Sequence, residues 1–488
     1  MTYTPRLPAL AHQNIALTRL RSQPTTFALL AGTGTGKTKM VLDEWSERVD
    51  EVPNLLVIAP AGSYANWYLD RSPEEPSEAT KHLDPALRKA MRIHYWSSSG
   101  GVKWTNELKS FLKDTSRPRL FVVNVEAFSS VDRVVTACTT FLKSAPTLMV
   151  VDESTKLKSH TTARTKAVMK LAPLAAVRRI ATGLVTPQSP MDLFSQFAFL
   201  DPAILGFRTF AGFRSTYAIT RKEHFPGARW PVEVIVGFRN LEQLAKLIEP
   251  YSYRVHKEDC LDLPEKIYTT RDVPMSAEQA RAYKELKQFA TTKLEGEAHV
   301  TAVSVITQIL RLHQLLCGHL VDEQQEVHEV PEQRTRVLMD VLAEHDGKAV
   351  IWVSYEHSLK KIQKLLEKEY GEGSVATFWG GNRSERLDEE TNFKTDPRCR
   401  FMIATPGAGG MGNTWTVADL VVYYSNSYDL EQRVQSEDRT HRIGQSKSVT
   451  YVDLVTRGTV DEKILQALRN KINLSAQITG HNWKDWVV

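Results

Sequence analysis

The stretch Ala31-Gly32-Thr33-Gly34-Thr35-Gly36-Lys37-Thr38 decides the reading of this 488-residue chain. It follows a short apolar run, Phe27–Leu30, and precedes a segment of helical character, so it reads as a strand–loop–helix turn. Glycines at alternate positions open backbone conformations that let successive N–H groups surround phosphates. Lys37 is placed to reach the β- and γ-phosphates of a nucleotide, and the Thr38 hydroxyl to bind Mg²⁺. A chance glycine-rich turn is the plain alternative, and the flanking pattern argues against it.

Three further signatures lie outward from this loop. Leu148–Val151 ends in Asp152-Glu153, and the C-terminal ends of parallel strands are where ligands bind. Asp152 is suited to hold Mg²⁺ through water and Glu153 to orient and deprotonate an attacking water. Far downstream come Gly409-Gly410-Met411-Gly412-Asn413 and a segment from Gln435 through Arg439 and Arg442 to Gln445. Gly410, Gly412 and Gln435 are expected beside the nucleotide, with Arg439 and Arg442 neutralising transition-state charge. Gln435, Arg439 and Arg442 are spaced to share one helix face. A solvated basic helix is the ordinary explanation for such spacing, made weaker here by His441 and Ile443-Gly444-Gln445. A site divided between blocks so far apart implies a molecule that opens and closes as it hydrolyses.

Short apolar runs recur at Leu55–Ala59, Leu120–Val125 and Leu148–Val151, then at Ala349–Val353, Phe401–Ala404, Leu420–Tyr424 and Tyr451–Val455. Runs without polar alternation suit strands buried on both faces of a parallel sheet. Their two groups predict two doubly wound α/β lobes, 1–205 and 331–488. A helical insertion and linker over 206–330 is expected between them. Within it Ser276–Glu295 and Ala302–Cys317 have helical periodicity, the second with Val303, Ile306, Leu310 and His313 on one stripe. Val321–Glu332 is acidic and reads as a surface linker, and no wedge hairpin is recognisable.

Apolar residues make up 42% of the chain and charged residues 24%, with a net charge of +5, so any preference for an acidic partner must be local. Lys156, Lys158, Arg164, Lys166, Lys170, Arg178 and Arg179 crowd a stretch free of acidic residues directly after Asp152-Glu153. A solvated helix face and a phosphate-backbone surface are the two explanations, and the position favours the second. The four cysteines are isolated, so a reduced interior without structural zinc is expected. No apolar run is long enough for a membrane span, and the first residues lack the apolar core of a signal peptide.

Taken in order, these motifs resemble those of superfamily 2 ATPases of the Swi/Snf group, particularly compact single-motor versions from bacteria and bacteriophages. His12-Gln13 is similar to the group's adenine-reading glutamine motif, and Ala59-Pro60 with Asn66-Trp67 to its motif Ia. Asn124-Val125-Glu126 resembles motif Ib, and Asp152-Glu153-Ser154 with Lys156 and Lys158 motif II and its basic tail. Phe199-Leu200-Asp201-Pro202 resembles the stretch after motif III, and Arg254–Pro264 the linker signature. Gly409–Asn413 and Gln435–Gln445 match motifs V and VI, and Gly458–Lys463 the tail of the second lobe.

The resemblance implies two RecA-like lobes, ATP with Mg²⁺, a cytoplasmic monomer, and movement along double-stranded DNA. Asn124, Lys156, Lys158, Arg164 and Lys166 would be the nucleic-acid contacts. A strand-separating DNA or RNA helicase is the alternative, and a weakly hydrolysing nucleotide-gated clamp a third. Two departures stand out. Motif III reads Thr182-Gly183-Leu184-Val185 where the group has Thr-Gly-Thr-Pro, and Thr155 stands where it has His. With Leu184 and Val185 the loop is expected to transmit lobe closure poorly, and Leu184→Thr with Val185→Pro to improve movement.

Overall fold

The computed structural model describes residues 6–73, 75–129, 132–224, 231–296, 302–322, 324, 326–407 and 414–479. Of these, residues 290–296, 302–305, 478 and 479 are described by their backbone alone. Glycines 410 and 412 lie outside the described residues.

Two parallel sheets organise the chain, as the apolar runs predict. The first contains β1 (Thr26–Ala31), β2 (Asn54–Ala59), β3 (Arg92–Tyr95), β4 (Arg119–Asn124), β5 (Thr147–Asp152) and β6 (Val177–Thr182). After the antiparallel ribbon β7 (Ala218–Glu223) and β8 (Val232–Phe238), β9 (Ser252–Val255) completes it in the order β3-β4-β2-β5-β6-β1-β9. The second begins with β10 (Lys266–Asp272). After the small hairpin β11 (His319–Val321) and β12 (Val327–Glu329) it takes in β13 (Lys348–Trp352), β14 (Val375–Phe378), β15 (Phe401–Ala404), β16 (Ala418–Tyr423) and β17 (Val449–Val455). Its order is β10-β17-β16-β13-β15-β14.

The sheets share out the chain at 256–265, between β9 and β10. The stretch 206–330 is therefore not one inserted block: β9 closes one edge of the first sheet and β10 opens one edge of the second. Its helices are present at Ala277–Gly296 and Ala302–Leu316. Ile306 and Leu310 face solvent, 61% and 47% exposed, while Gln308, Leu312, Leu315 and Leu316 are buried. The apolar stripe therefore does not mark the packed face beyond His313. The acidic segment expected to be linker instead forms the β11–β12 hairpin, with Glu332 held by Lys361 at 2.7 Å. The β7–β8 ribbon is a hairpin the sequence does not announce, because polar residues alternate irregularly on two largely exposed faces.

Core packing explains which strands were legible. β2, β4, β5, β13 and β15 carry nearly unbroken buried apolar side chains. β6 was hidden by Arg178 and Arg179 in its sequence. Arg179 is fully buried and grips the Glu44 carboxylate, its Nε at 2.9 Å. Glu44 lies on the helix Lys37–Glu47, so this pair fixes the helix behind the glycine loop to the strand beside it. Arg179→Met leaves the buried Glu44 carboxylate with Arg48 as its cationic partner, at 3.4 Å, and is expected to cost about 3–5 kcal/mol. Arg179→Met with Glu44→Leu should recover most of that in urea unfolding; equal losses in single and double variants would contradict the pairing.

Candidate nucleotide site

β5, β6 and β1 are neighbours, so the parallel sheet brings Asp152, Thr182 and the glycine loop to one edge. The loop turns through Gly34 and Gly36, both with φ near +85° (85° and 86°), into the helix that begins at Lys37. Any side chain at Gly36 would place its Cβ 2.3 Å from Gln13 Nε2. The loop's shape is held from outside: His12 Nε2 and Gln13 Nε2 lie 2.8 and 3.0 Å from the Thr35 carbonyl. Gln13 Oε1 in turn accepts the Leu10 N–H at 3.0 Å. Gln13 thus braces the loop here, and both ends of its amide are engaged.

Lys37 is buried, its ammonium donating to the carbonyls of Ala31 at 2.9 Å and Gly32 at 3.3 Å. Asp152 accepts from Trp67 Nε1 and the Glu153 N–H, each at 3.1 Å. Glu153 accepts the Thr182 hydroxyl at 3.3 Å. Desolvation raises both carboxyls, and Lys37 opposes it; Glu153 reaches about 7, helped upward by Asp152 and Glu431. Glu153 has φ of 48°, and among the described residues Asn240 is the other non-glycine with positive φ. Such a conformation in a residue with a Cβ is strained and needs the surrounding fold to impose it.

Gln13, Gly34, Gly36, Lys37, Thr38, Asp152 and Glu153 line a cleft of about 590 Å³ whose opposite wall carries Thr414 and Arg442 of the second lobe. Arg442 Cβ lies 3.9 Å from the point a Cβ on Gly34 would occupy. Arg439 does not line this cleft. The helix Leu430–Glu437 ends before it, so Gln435, Arg439 and Arg442 do not share a helix face. Arg439 is instead buried in the second lobe, 5.1 Å from the Trp415 ring and 5.9 Å from Trp352, and desolvation lowers its pKa to about 10. Gln435 donates to Glu431 at 3.3 Å.

Glu431, which no motif spacing reveals, joins the lobes. It accepts the Thr155 hydroxyl at 3.0 Å and the Lys156 ammonium at 2.8 Å, with Lys158 at 3.9 Å. The basic stretch after Glu153 therefore divides. Lys156 and Lys158 face the second lobe, Arg178 and Arg179 belong to β6, and Arg164 and Lys166 lie on the helix Ala163–Leu171 with Lys166 exposed. A second cleft, about 1040 Å³, runs between the lobes past Ala61, Glu126, Lys156, Trp379, Arg383 and Arg386. Glu126 lines it rather than Asn124, which ends β4.

The altered motif III is firmly held. Leu184 packs against Leu430, Ile464 and Leu468 of the second lobe, and Val185 is buried in the first. Thr186 donates to Ser475 at 3.0 Å and Lys471 to Gln188 at 2.6 Å, both from the helix Val460–Thr479. Apolar contact and two hydrogen bonds hold the loop around Leu184–Val185, where the group has proline.

Residues 15–320 match the SNF2-related domain and residues 333–444 the helicase conserved C-terminal domain. The chain belongs to the SNF2-related family, and both halves of an ATP-hydrolysing helicase/translocase core are present. Similar proteins include YwqA of Bacillus subtilis, named provisionally as an ATP-dependent helicase/translocase, 28% identical over 346 residues and 68% of this chain. The DNA annealing helicase and endonuclease ZRANB3 of Mus musculus is 27% identical over 341 residues, again 68% of the chain. The chain spans 36% and 30% of the lengths of those two proteins. A Sulfolobus solfataricus SWI2/SNF2 ATPase core in complex with dsDNA is 23% identical, covering 98% of this chain and 96% of its own, with a TM-score of 0.42. No described helix is long and apolar enough to cross a membrane.

This geometry gives distinct expectations for two side chains. Lys37→Ala should lose ATP binding and turnover together. Glu153→Gln should bind ATP normally yet hydrolyse it on the order of 10²–10⁴-fold more slowly, since an amide cannot take the proton. Nucleotide-binding titration beside steady-state hydrolysis checks both, and wild-type turnover in Glu153→Gln would contradict the geometry.

Proposed function

We propose that this chain is a DNA-stimulated ATPase that moves along double-stranded DNA, using ATP with Mg²⁺. The observation that carries this reading is Arg442 of one lobe facing the Lys37 loop of the other across a single cleft. Hydrolysis is then tied to the relative position of the lobes, and a groove between the same lobes moves with them.

The donor set fits the metal. The Thr38 hydroxyl and Asp152 carboxylate both line the cleft and are the oxygen ligands that a hard cation prefers. Bound there, Mg²⁺ would neutralise charge on the β- and γ-phosphates. The chain's own groups do the rest. N–H groups at the start of the helix Lys37–Glu47, together with Lys37, bind phosphate, and Glu153 holds and deprotonates the water. Thr182 orients Glu153. Arg442 meets the charge that develops on the transferred group, with a planar donor set and a permanent charge.

The inter-lobe groove supports a DNA track: Arg383 and Arg386 line it together with Lys156, which here is paired with Glu431, beside backbone turns at Ala61 and Gly380. Such contacts read phosphate rather than sequence. Lys156→Gln with Arg383→Gln should weaken binding to any duplex and lower the log–log salt slope by roughly 0.9 for each lost contact. An unchanged slope would remove both from the interface. Strand separation is the second reading, favoured by the exposed β7–β8 ribbon. Displacement of a triplex-forming strand without release of duplex strands supports translocation; ATP-dependent release of the duplex strands supports the alternative.

The packing of Leu184 reverses the sequence-based expectation for motif III. Leu184→Thr with Val185→Pro removes apolar contact with the second lobe, so triplex displacement should fall more than ATP hydrolysis does. Improved displacement would show that the contacts to Leu430 and Ile464 do not transmit movement.

A further inference from the structure

The linker between β9 and β10 is packed into the nucleotide site rather than strung outside it. The Gly32 N–H donates to the Val255 carbonyl at 3.0 Å. A Cβ on Gly32 would lie only 3.2 Å from Lys257 N and 3.3 Å from Lys257 Cβ, so the linker lies directly against the phosphate loop. On its other side the linker grips the segment that leads into Arg442. Lys257 is buried, forms an ion pair with Asp438, and donates to the His441 carbonyl at 2.8 Å. Lys257 and Lys266, with Thr33 of the loop itself, hold the Asp438 carboxyl below its ordinary range against desolvation. His441 Nε2 lies 2.7 Å from the Pro264 carbonyl, and Glu437 is held by Tyr268 at 2.7 Å and Lys266 at 3.4 Å.

We propose that Lys257 is a positioning residue for hydrolysis: its single ammonium, bound to the Asp438 side chain and the His441 carbonyl, sets where Arg442 stands over the phosphate loop. The proposal rests on the reading that Arg442 acts on nucleotide held by Lys37. One ammonium touching both side chain and backbone of residues 438–441 fixes that turn in two directions. The helix ends at Glu437, and the turn keeps its own shape through the Thr440 and His441 N–H groups, which donate to the Glu437 carbonyl at 3.2 and 3.1 Å, so the lysine sets the turn's place against the linker. A buried ion pair is a poor general source of stability but a directional constraint, because breaking it leaves a charge without its partner. Arginine at a developing phosphate charge needs placement within a fraction of an ångström. The same lysine backbone abuts Gly32, so its linker keeps the two halves of the site in one register as the lobes move.

The experiment uses the full chain with Lys257→Met, Lys257→Arg and the pair Lys257→Met with Asp438→Asn. ATP hydrolysis is measured with saturating duplex DNA, and binding with a fluorescent ATP analogue and Mg²⁺. Lys257→Met is expected to lower kcat on the order of 10²-fold, as small misplacements of a catalytic group do. Analogue affinity should stay within about threefold, because the phosphate loop is intact. Lys257→Arg keeps the charge and should recover to within about tenfold of wild type. The neutral pair removes the stranded charge, so it keeps the fold even if Lys257→Met does not, and it should remain slow. Wild-type kcat in the neutral pair overturns the proposal, as does parallel loss of analogue binding and kcat in every variant. Arg442→Gln run alongside separates the two readings. A normal rate there removes the role of Arg442 itself, whereas a slow Arg442→Gln beside a normal neutral pair removes only that of Lys257.

Discussion

Two carboxylates at the end of β5 share one nearby ammonium from their own lobe, and the rest of the site follows from that shortage of charge. Asp152 and Glu153 are drawn out of water, where Lys37 opposes their desolvation with help from the hydrogen bonds of Trp67, the Glu153 N–H and Thr182, and Lys37 meanwhile bonds to the loop carbonyls of Ala31 and Gly32. The second lobe supplies the remaining charge from a distance. Arg442 faces the loop, while Glu431 binds Lys156 and Thr155 and adds to the raising of the Glu153 carboxyl.

Lobe contact is therefore electrostatic beside the nucleotide cleft and apolar around Leu184. Around Glu431 and Asp438 the joints are ion pairs and hydrogen bonds. Around Leu184 the joint is an apolar cluster continued by Thr186–Ser475 and Lys471–Gln188 along the helix Val460–Thr479. Motif III thus differs from the group's sequence yet still joins the strand of Thr182 to the second lobe. Thr182 touches Glu153, and Leu184, two residues on, touches the far lobe, so one short loop meets both the carboxylate and the second lobe.

How much of this was legible in the sequence depended on whether spacing carried the signal. The glycine loop, Asp152-Glu153 and the parallel strands were legible because local turn chemistry and uninterrupted apolar runs announce them. The place of Arg439 was not. Its i, i+4 spacing from Gln435 suggested a shared face, but the helix stops at Glu437, and Trp352 and Trp415, remote in sequence, form its surroundings. Glu431, Lys257 and Asp438 were missed for the same reason, since a pair made across 181 residues has no local period. Arg178 and Arg179 misled in the opposite sense: one buried salt bridge to Glu44 turns an apparent surface charge into part of a strand.

In the proposed function the phosphate loop is already formed in one lobe, and nucleic acid acts on how the other lobe meets it. Steady-state ATP hydrolysis with and without saturating duplex DNA tests this most directly. The bracing of Thr35 by His12 and Gln13 predicts that DNA raises kcat by about tenfold or more while the KM for ATP changes little. A stimulation carried wholly by KM, or a kcat indifferent to DNA, would contradict it.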